Sequence, residues 1–413
     1  MNPSPTFERR ARRPARGGVG RRILAAAALS MFIACGNALA QGNPPVKLGV
    51  LMGFTGPAAF QAGSTMVAIR MGVKEINDAG GLLGRRVEIV QADDQFNPAQ
   101  SVNEARRLAQ QEKVSFVLGP QASTLALAVA PIFTEAKIPY FSTSVAAVPS
   151  AYNFPTMMST TSQAQSMANF AANVLHAKTA AYLSDNGAAG KALVPDFQKL
   201  LPTLGIELKG LQEHDTRTSD ITPQVLALRR LNPEVLLHST STGEDGGLLL
   251  KTLADIGWNV PVVSTSIAQA TAGALKVAGP DAFKPGRYYG LIATAYTYCA
   301  SDKVGDRAYD RYLAKLKAFD PENFDKLDHK STLYLYDSLS LIRAAVEGSK
   351  SLDGPTLVAW MEKNGASLKG GAGYPMAPNA ASHFLMGPNA ISFVTRPDLV
   401  RPSDKLIERT SGC

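Results

Sequence analysis

The side chains able to do chemistry in this chain are few, and their spacing favours holding a ligand over transforming one. Catalysis needs a nucleophile, a base and an orienting group within reach of one another, yet the sequence holds neither G-x-S-x-G nor H-E-x-x-H. The adjacent pairs His214-Asp215 and Asp328-His329 sit in polar segments and read as solvated structural pairs. Gly187-Ala188-Ala189-Gly190-Lys191 follows a strand-like run, but it lacks the four-residue spacing and the Ser/Thr after Lys that a phosphate loop uses to hold magnesium. It reads as a glycine turn opening a helix. Gly370-Gly371-Ala372-Gly373 has no strand-turn-helix context and reads as a flexible turn. The five histidines are scattered and no two cysteines are close, so neither zinc nor any other cofactor is expected. What remains is the loop Gly119-Pro120-Gln121-Ala122-Ser123-Thr124, between a strand and a helix start, where a hydroxyl and unsatisfied backbone N–H groups can hold a carboxylate. The plainer reading of Ser123 is a helix N-cap, a position Ser favours.

The elements that position such a loop begin after an export leader. Arg9, Arg10, Arg12, Arg13, Arg16, Arg21 and Arg22 form a basic stretch, residues 23–34 are apolar, and Ala38-Leu39-Ala40 is a small-x-small cleavage site. The apolar run is too short for a membrane span, which takes about 20 residues. Cleavage after Ala40 into the periplasm is the first reading. Lipidation at Cys35 is an alternative, although Phe32 stands where Leu is usual, and the Arg21-Arg22 pair leaves Sec and twin-arginine export both open. Seven arginines against one acid, Glu8, put six of the eight net positive charges in this leader, and +2 remains. The mature chain therefore has no basic footprint for nucleic acid. It keeps Cys299 and Cys413, which an oxidising compartment either bridges or leaves as free thiols.

From residue 46 onward, strand-like runs alternate with helical periodicity, the pattern of βα units around parallel sheets. Strands are expected at 47–52, 87–92, 114–118 and 138–142. Between the first two, Ala62, Met66, Ile69, Val73 and Ile76 recur three or four apart and mark one buried helix face. Gly80-Gly81 ends that helix and Pro98 opens the next, followed by a helix at 125–133. After an irregular segment at 145–161 a second series runs through strands 180–184, 206–211, 234–238 and 260–264, with helices at 191–204, 223–231 and 246–256. Helices at 307–319 and 332–348 lie in a C-terminal third too poor in strands for a sheet of its own. Two doubly wound α/β lobes follow, with a ligand site outside the carboxyl ends of the strands, in a cleft that closes by hinge motion.

Several motifs carry a family resemblance. Val50-Leu51-Met52-Gly53-Phe54-Thr55-Gly56-Pro57 with Gly63, the run Ile76-Asn77-Asp78-Ala79-Gly80-Gly81-Leu82-Leu83-Gly84-Arg85, Asp93-Asp94-Gln95, Asn97-Pro98-Ala99, Val117-Leu118-Gly119-Pro120, Ala128-Val129-Ala130-Pro131 and Tyr336-Asp337-Ser338 stand in family order and spacing. They resemble the leucine/isoleucine/valine-type, branched-chain amino-acid binding proteins of ABC transporters, over nearly the whole mature chain. The resemblance implies a bilobal type I periplasmic fold without catalysis and with about three crossings, placed near 157–161, 288–292 and 383–389. Residues 45–160 with 290–385 would form lobe 1, and 161–289 with 386–413 lobe 2. It implies a monomer that delivers a small solute to an inner-membrane ABC permease; the other reading is a ligand-sensing module that feeds a membrane receptor or kinase.

The resemblance also carries site residues over singly. Ser123 falls where the family places a carboxylate-binding Ser, with Gln121, Ala122 and Thr124 beside it in the loop. Ser144 stands where a backbone carbonyl is used, and Ala146 where a Thr is used, so a hydroxyl is lost but the N–H stays. In the second lobe the family's covering Tyr is replaced near Ala189, beside Asn186, and the acid that pairs with the ligand ammonium is replaced by Ser266. A buried ammonium needs a paired charge. Those losses, the Ser/Thr-rich loop ending at Thr242, and the aromatic candidates Phe60 and Tyr296 suit a neutral or anionic solute, so the expected solute is an amino acid or, given the altered ammonium site, an aliphatic or aromatic acid or an amide. Phe60 reads equally as a core residue.

Overall fold

The computed structural model describes Ser4 and residues 43–215, 218–240, 242–265, 271–283, 287–303, 305, 307–371, 373, 375–403, 405–410 and 413. The expected export leader, Ser4 apart, lies outside them. The chain divides into the units Met1–Pro44 and Pro45–Cys413, and every element below belongs to the second.

The first series folds as β1 (Val46–Met52), α1 (Ala59–Asp78), β2 (Val87–Asp93), α2 (Pro98–Arg106), β3 (Phe116–Leu118), α3 (Ser123–Glu135) and β4 (Tyr140–Phe141). Its four strands are parallel, in the order β2-β1-β3-β4. Alternation along β1 covers both faces of the sheet. Val46, Leu48, Val50 and Met52 pack with α1, whereas Leu51 joins Leu108, Val117 and Phe133 on the other side. The expected stripe of Ala62, Met66, Ile69, Val73 and Ile76 is buried throughout. Asn97 caps α2 by accepting the N–H groups of Ala99 and Gln100, and Pro98 opens that helix.

The second series comprises α4 (Thr160–Asn173), β5 (Thr179–Asp185), α5 (Ala188–Thr203), β6 (Glu207–His214), α6 (Thr222–Arg229), β7 (Val235–Ser239), α7 (Gly243–Asp255), β8 (Val262–Ser264), α8 (Thr271–Ala278) and β9 (Tyr288–Ala293). The chain continues through β10 (Thr297–Tyr298), α9 (Ala308–Phe319), α10 (His329–Ser349), α11 (Gly354–Asn364), β11 (Ile391–Val394) and β12 (Ile407–Glu408). The second sheet runs β11-β9-β8-β7-β5-β6, parallel except for β11 against β9. Several helices begin a few residues before the apolar periodicity does, because capping and loop geometry, not burial, set a first turn.

The C-terminal third is shared out. Helix α10 packs along α1, where Gly72 permits close approach; a Cβ there would lie 2.6 Å from Leu339 Cδ1. Tyr336, of the Tyr-Asp-Ser motif, donates to Glu75 on α1 at 2.7 Å, and Asp337 accepts the Gly371 N–H. Strand β11 instead completes the second sheet. Two segments therefore pass side by side between the lobes, joined at Met158 and Met386 and by the Leu385 N–H on the Pro155 carbonyl at 2.8 Å. The third passage differs from the expectation. Residues 288–292 are not a crossing but lie in β9, nearly all buried and paired on both edges within the second sheet, and the chain returns to α10 beyond them. A disulfide joins Cys299 to Cys413, with Cα atoms 5.7 Å apart, and so holds the C-terminus beside β10, which pairs with β12. No helix among the described residues is long and apolar enough to cross a membrane.

Candidate functional site

In both lobes the strands deliver their carboxyl ends to one cleft, across which α3 and α5 approach each other. In the first lobe β3 leads into Gly119, whose φ of +103° and position against Leu51 admit no side chain: a Cβ would meet the Leu51 carbonyl oxygen at 1.9 Å. Ala122 also takes a positive φ, 88°, and its N–H is held by Thr143 Oγ1 at 3.2 Å. This backbone sets Ser123 as the first residue of α3 and not its N-cap; the cap position is Ala122, which has no side-chain cap bond. The Ser123 hydroxyl turns instead to the loop after β4. It accepts the Val145 and Ala146 N–H groups, each at 3.2 Å, and lies 3.0 Å from Ser144 Oγ, which donates to the Ala146 carbonyl at 2.7 Å. Ser123, Ser144 and Ala146 thus converge in one buried cluster at a helix N-terminus.

The neighbouring candidates separate. Gln121 is buried and its Oε1 has no partner among the described residues, whereas Thr124 is exposed. Phe60 is 65 % exposed on the first turn of α1, so the core reading is excluded. Tyr296 is corrected to a packing residue. It is 1 % exposed, packs edge-on against Tyr309 and Tyr334, and donates its hydroxyl to the Lys330 carbonyl at 2.6 Å.

In the second lobe Asn186 is exposed after β5, and its N–H reaches the His214 carbonyl at 2.9 Å. Thr242 is exposed too and caps α7, accepting the Asp245 N–H at 3.1 Å. Ser266 lies outside the described residues. Ser239 and Thr265, from the Ser/Thr-rich loops, are buried, with Thr265 Oγ1 donating to Ser239 Oγ at 3.3 Å.

A cavity of about 60 Å³ lies between the lobes where these ends meet. Val145, Thr160 and Gln163 line it from one side and Ala189, Ser239 and Thr265 from the other, with Met157, Met158 and Leu193 between. No charged side chain lines it among the described residues. The Thr160 N–H bonds the Val145 carbonyl at 2.9 Å, tying the first-lobe loop to the start of α4. The pattern of strands and helices gave no sign of Thr160 or Gln163. Their signal was the polar run from Ser159 to Gln163 immediately after the crossing.

Beneath the floor, charge is suppressed. His238, fully buried on β7, has its pKa lowered to about 3 by burial and then by neighbouring His214, and its Nδ1 meets Ser264 Oγ at 3.0 Å. Burial likewise raises the Asp245 carboxyl above its ordinary value. No cluster of three or more His, Cys, Asp or Glu suited to a metal occurs among the described residues. The lining offers hydrogen bonds and apolar contact to a small guest.

Residues 45–389 match a family model described as periplasmic binding protein. An amino acid binding protein of Pseudomonas aeruginosa is 25% identical over 354 residues, 83% of this chain and 88% of that protein. Among solved structures, the branched-chain amino acid substrate binding protein LivJ of Streptococcus pneumoniae, in complex with isoleucine, superposes with a TM-score of 0.68 at 19% identity, covering 85% of this chain and 96% of that one. An ABC-transporter solute binding protein of Rhodopseudomonas palustris, in complex with 4-hydroxybenzoate, does so with a TM-score of 0.70 at 20% identity, covering 88% and 95%.

Proposed function

This chain belongs to the periplasmic binding protein family, of the leucine/isoleucine/valine type, and we propose that it is the solute-binding component of an ABC uptake transporter whose solute is a small carboxylate without an ammonium group. On this reading the leader directs export, is cleaved after Ala40, and the loaded protein docks on an inner-membrane permease.

One observation carries the choice of solute: among the described residues no acid lines the interlobe cavity, whose Val145 end adjoins the N-terminus of α3. At that end the Val145 and Ala146 N–H groups and the Ser123 hydroxyl cluster at the N-terminus of α3, where the helix dipole favours an anion. At the other end stand Ser239, Thr265 and Ala189, where an amino-acid binder would need a carboxylate for the ammonium. The neighbour that holds 4-hydroxybenzoate supports an acid of this kind on the same fold. Capture then proceeds by closure: a solute that touches both lobes binds the closed state more tightly and shifts the population toward it.

A thermal-shift screen of the mature, oxidised chain against amino acids, aliphatic acids, aromatic acids and amides tests the reading, because a ligand of the folded state raises the melting temperature. The largest shift is expected from a carboxylic acid without an α-ammonium group. A largest shift from leucine, isoleucine or valine would overturn it.

A further inference from the structure

Helix α4 starts where the chain has just passed between the lobes, and its first turn contributes to the cavity wall. Ser159 caps the helix by accepting the Ser162 N–H at 3.0 Å, and Thr160 and Gln163, one turn apart on the same face, both line the cavity. Gln163 is 6 % exposed, and its Nε2 donates to the Met158 carbonyl at 3.0 Å. A carbonyl can only accept, so the amide atom that faces it is the nitrogen, and the chemistry fixes which way round the amide stands. Met158 is held in turn, paired with Met386 on the second segment that passes between the lobes. The amide cannot turn over without losing its bond to that crossing. Its other end, Oε1, has no hydrogen-bond partner among the described residues and is not sealed inside the protein. Water satisfies such an atom in an open cleft. Once a guest has displaced the water, the guest must do so, because a desolvated acceptor left without a donor is the costlier outcome.

We propose that Gln163 is a specificity-determining residue of this site: its Oε1 accepts a hydrogen bond from the solute, and the solute is a hydroxy acid or amide acid whose neutral donor lies on the side that faces α4. The inference rests on the reading of the cavity as the site of a small carboxylate. The same geometry decides what is refused. A hydrocarbon surface against Oε1 leaves the acceptor desolvated and without a proton, and a second carboxylate brings a buried charge against the negative end of the amide dipole. The bond also reaches the hinge. A donor on Oε1 polarises the amide and strengthens the Nε2–H bond to the Met158 carbonyl, so a solute that satisfies Gln163 tightens its hold on the crossing.

The test is calorimetric titration of the mature, disulfide-intact chain with pairs that differ by one hydroxyl. 3-Hydroxybutyrate against butyrate places the donor near the carboxylate, and 4-hydroxybenzoate against benzoate places it at the far end. In at least one pair the hydroxy acid is expected to bind about tenfold more tightly. In Gln163→Leu, or in the unbranched Gln163→Met should the first variant fail to fold, that ratio should fall to about twofold or less, through weaker binding of the hydroxy acid. A role confined to holding Met158 would weaken both members alike; a ratio that survives the substitution therefore overturns the assignment to Gln163. Equal affinity within both pairs of the unaltered protein, or tighter binding of the members without the hydroxyl, overturns the inference and leaves the carboxylate reading standing. Binding of other carboxylates with neither hydroxy acid bound does the same. A screen in which no carboxylate binds while another class of solute does overturns both readings.

Discussion

Ser123→Ala separates a residue that ties a loop from one that holds the solute. Its hydroxyl accepts two N–H groups, from Val145 and from the buried Ala146, each at 3.2 Å. Losing that acceptor leaves buried donors unsatisfied, at a cost of about 1–3 kcal/mol. With the leader cleaved as proposed, about 370 residues have an unfolding entropy near 0.8 kcal/mol per degree, so the melting temperature should fall by about 1–4 °C. The effect on the solute is separate. A hydroxyl bound to a carboxylate contributes about 1.5–3 kcal/mol, and its loss at a middle value of about 2 weakens binding about 30-fold. At a solute concentration of 100 times the original Kd, the ligand stabilises the unaltered protein by about 2.7 kcal/mol, a shift of about 3–4 °C. The variant at the same concentration retains about 0.9 kcal/mol, or about 1 °C. Differential scanning calorimetry with and without the best acid of the screen reads both numbers. A lowered baseline with an undiminished ligand shift would show that Ser123 only braces the β4 loop, and would remove it from the site.

Two further outcomes follow from the rest of the molecule. The Cys299–Cys413 bridge spans a sequence separation of 114, which sets an upper bound of about 5 kcal/mol on its chain-entropy contribution. Replacing both cysteines by Ser should lower the melting temperature by up to about 6 °C in calorimetry without unfolding the tail, since the Arg409 and Thr410 N–H groups still bond Tyr298 and Phe393 at 2.9 Å; an unchanged melting temperature would refute it. His238 predicts a pH dependence. Its folded pKa of about 3 lies below the unfolded value near 6.5, so its contribution is complete above pH 6.5 and is lost as pH falls toward 3, by up to about 1.4 kcal/mol per unit. Urea unfolding between pH 7.5 and 4.5 should show a shallower decline for His238→Asn than for the unaltered chain, whatever the offset between them, and parallel curves would sink the argument.

The sequence by itself determined the class of fold, the family and the first-lobe loop. Periodicity is a local property, and the five apolar positions of α1 lie on one face in any packed structure. The glycine and proline punctuation is local as well, because a positive φ or a lost N–H restricts the chain wherever it sits. Tertiary structure decided what those residues do. That Ser123 braces the β4 loop and does not cap its own helix depends on Val145 and Ala146, more than twenty positions away. That Tyr296 is packing and Phe60 is surface depends on which helices arrive beside them, and residues 288–292, a crossing by resemblance, become a central strand because β8 and β11 offer two edges to fill. The bond from the Tyr182 hydroxyl to the Gly190 carbonyl is the least legible of all. It is set by the Gly190 carbonyl meeting a tyrosine from another element, and a hydroxyl's polarity is fixed only by the neighbours that folding brings to it.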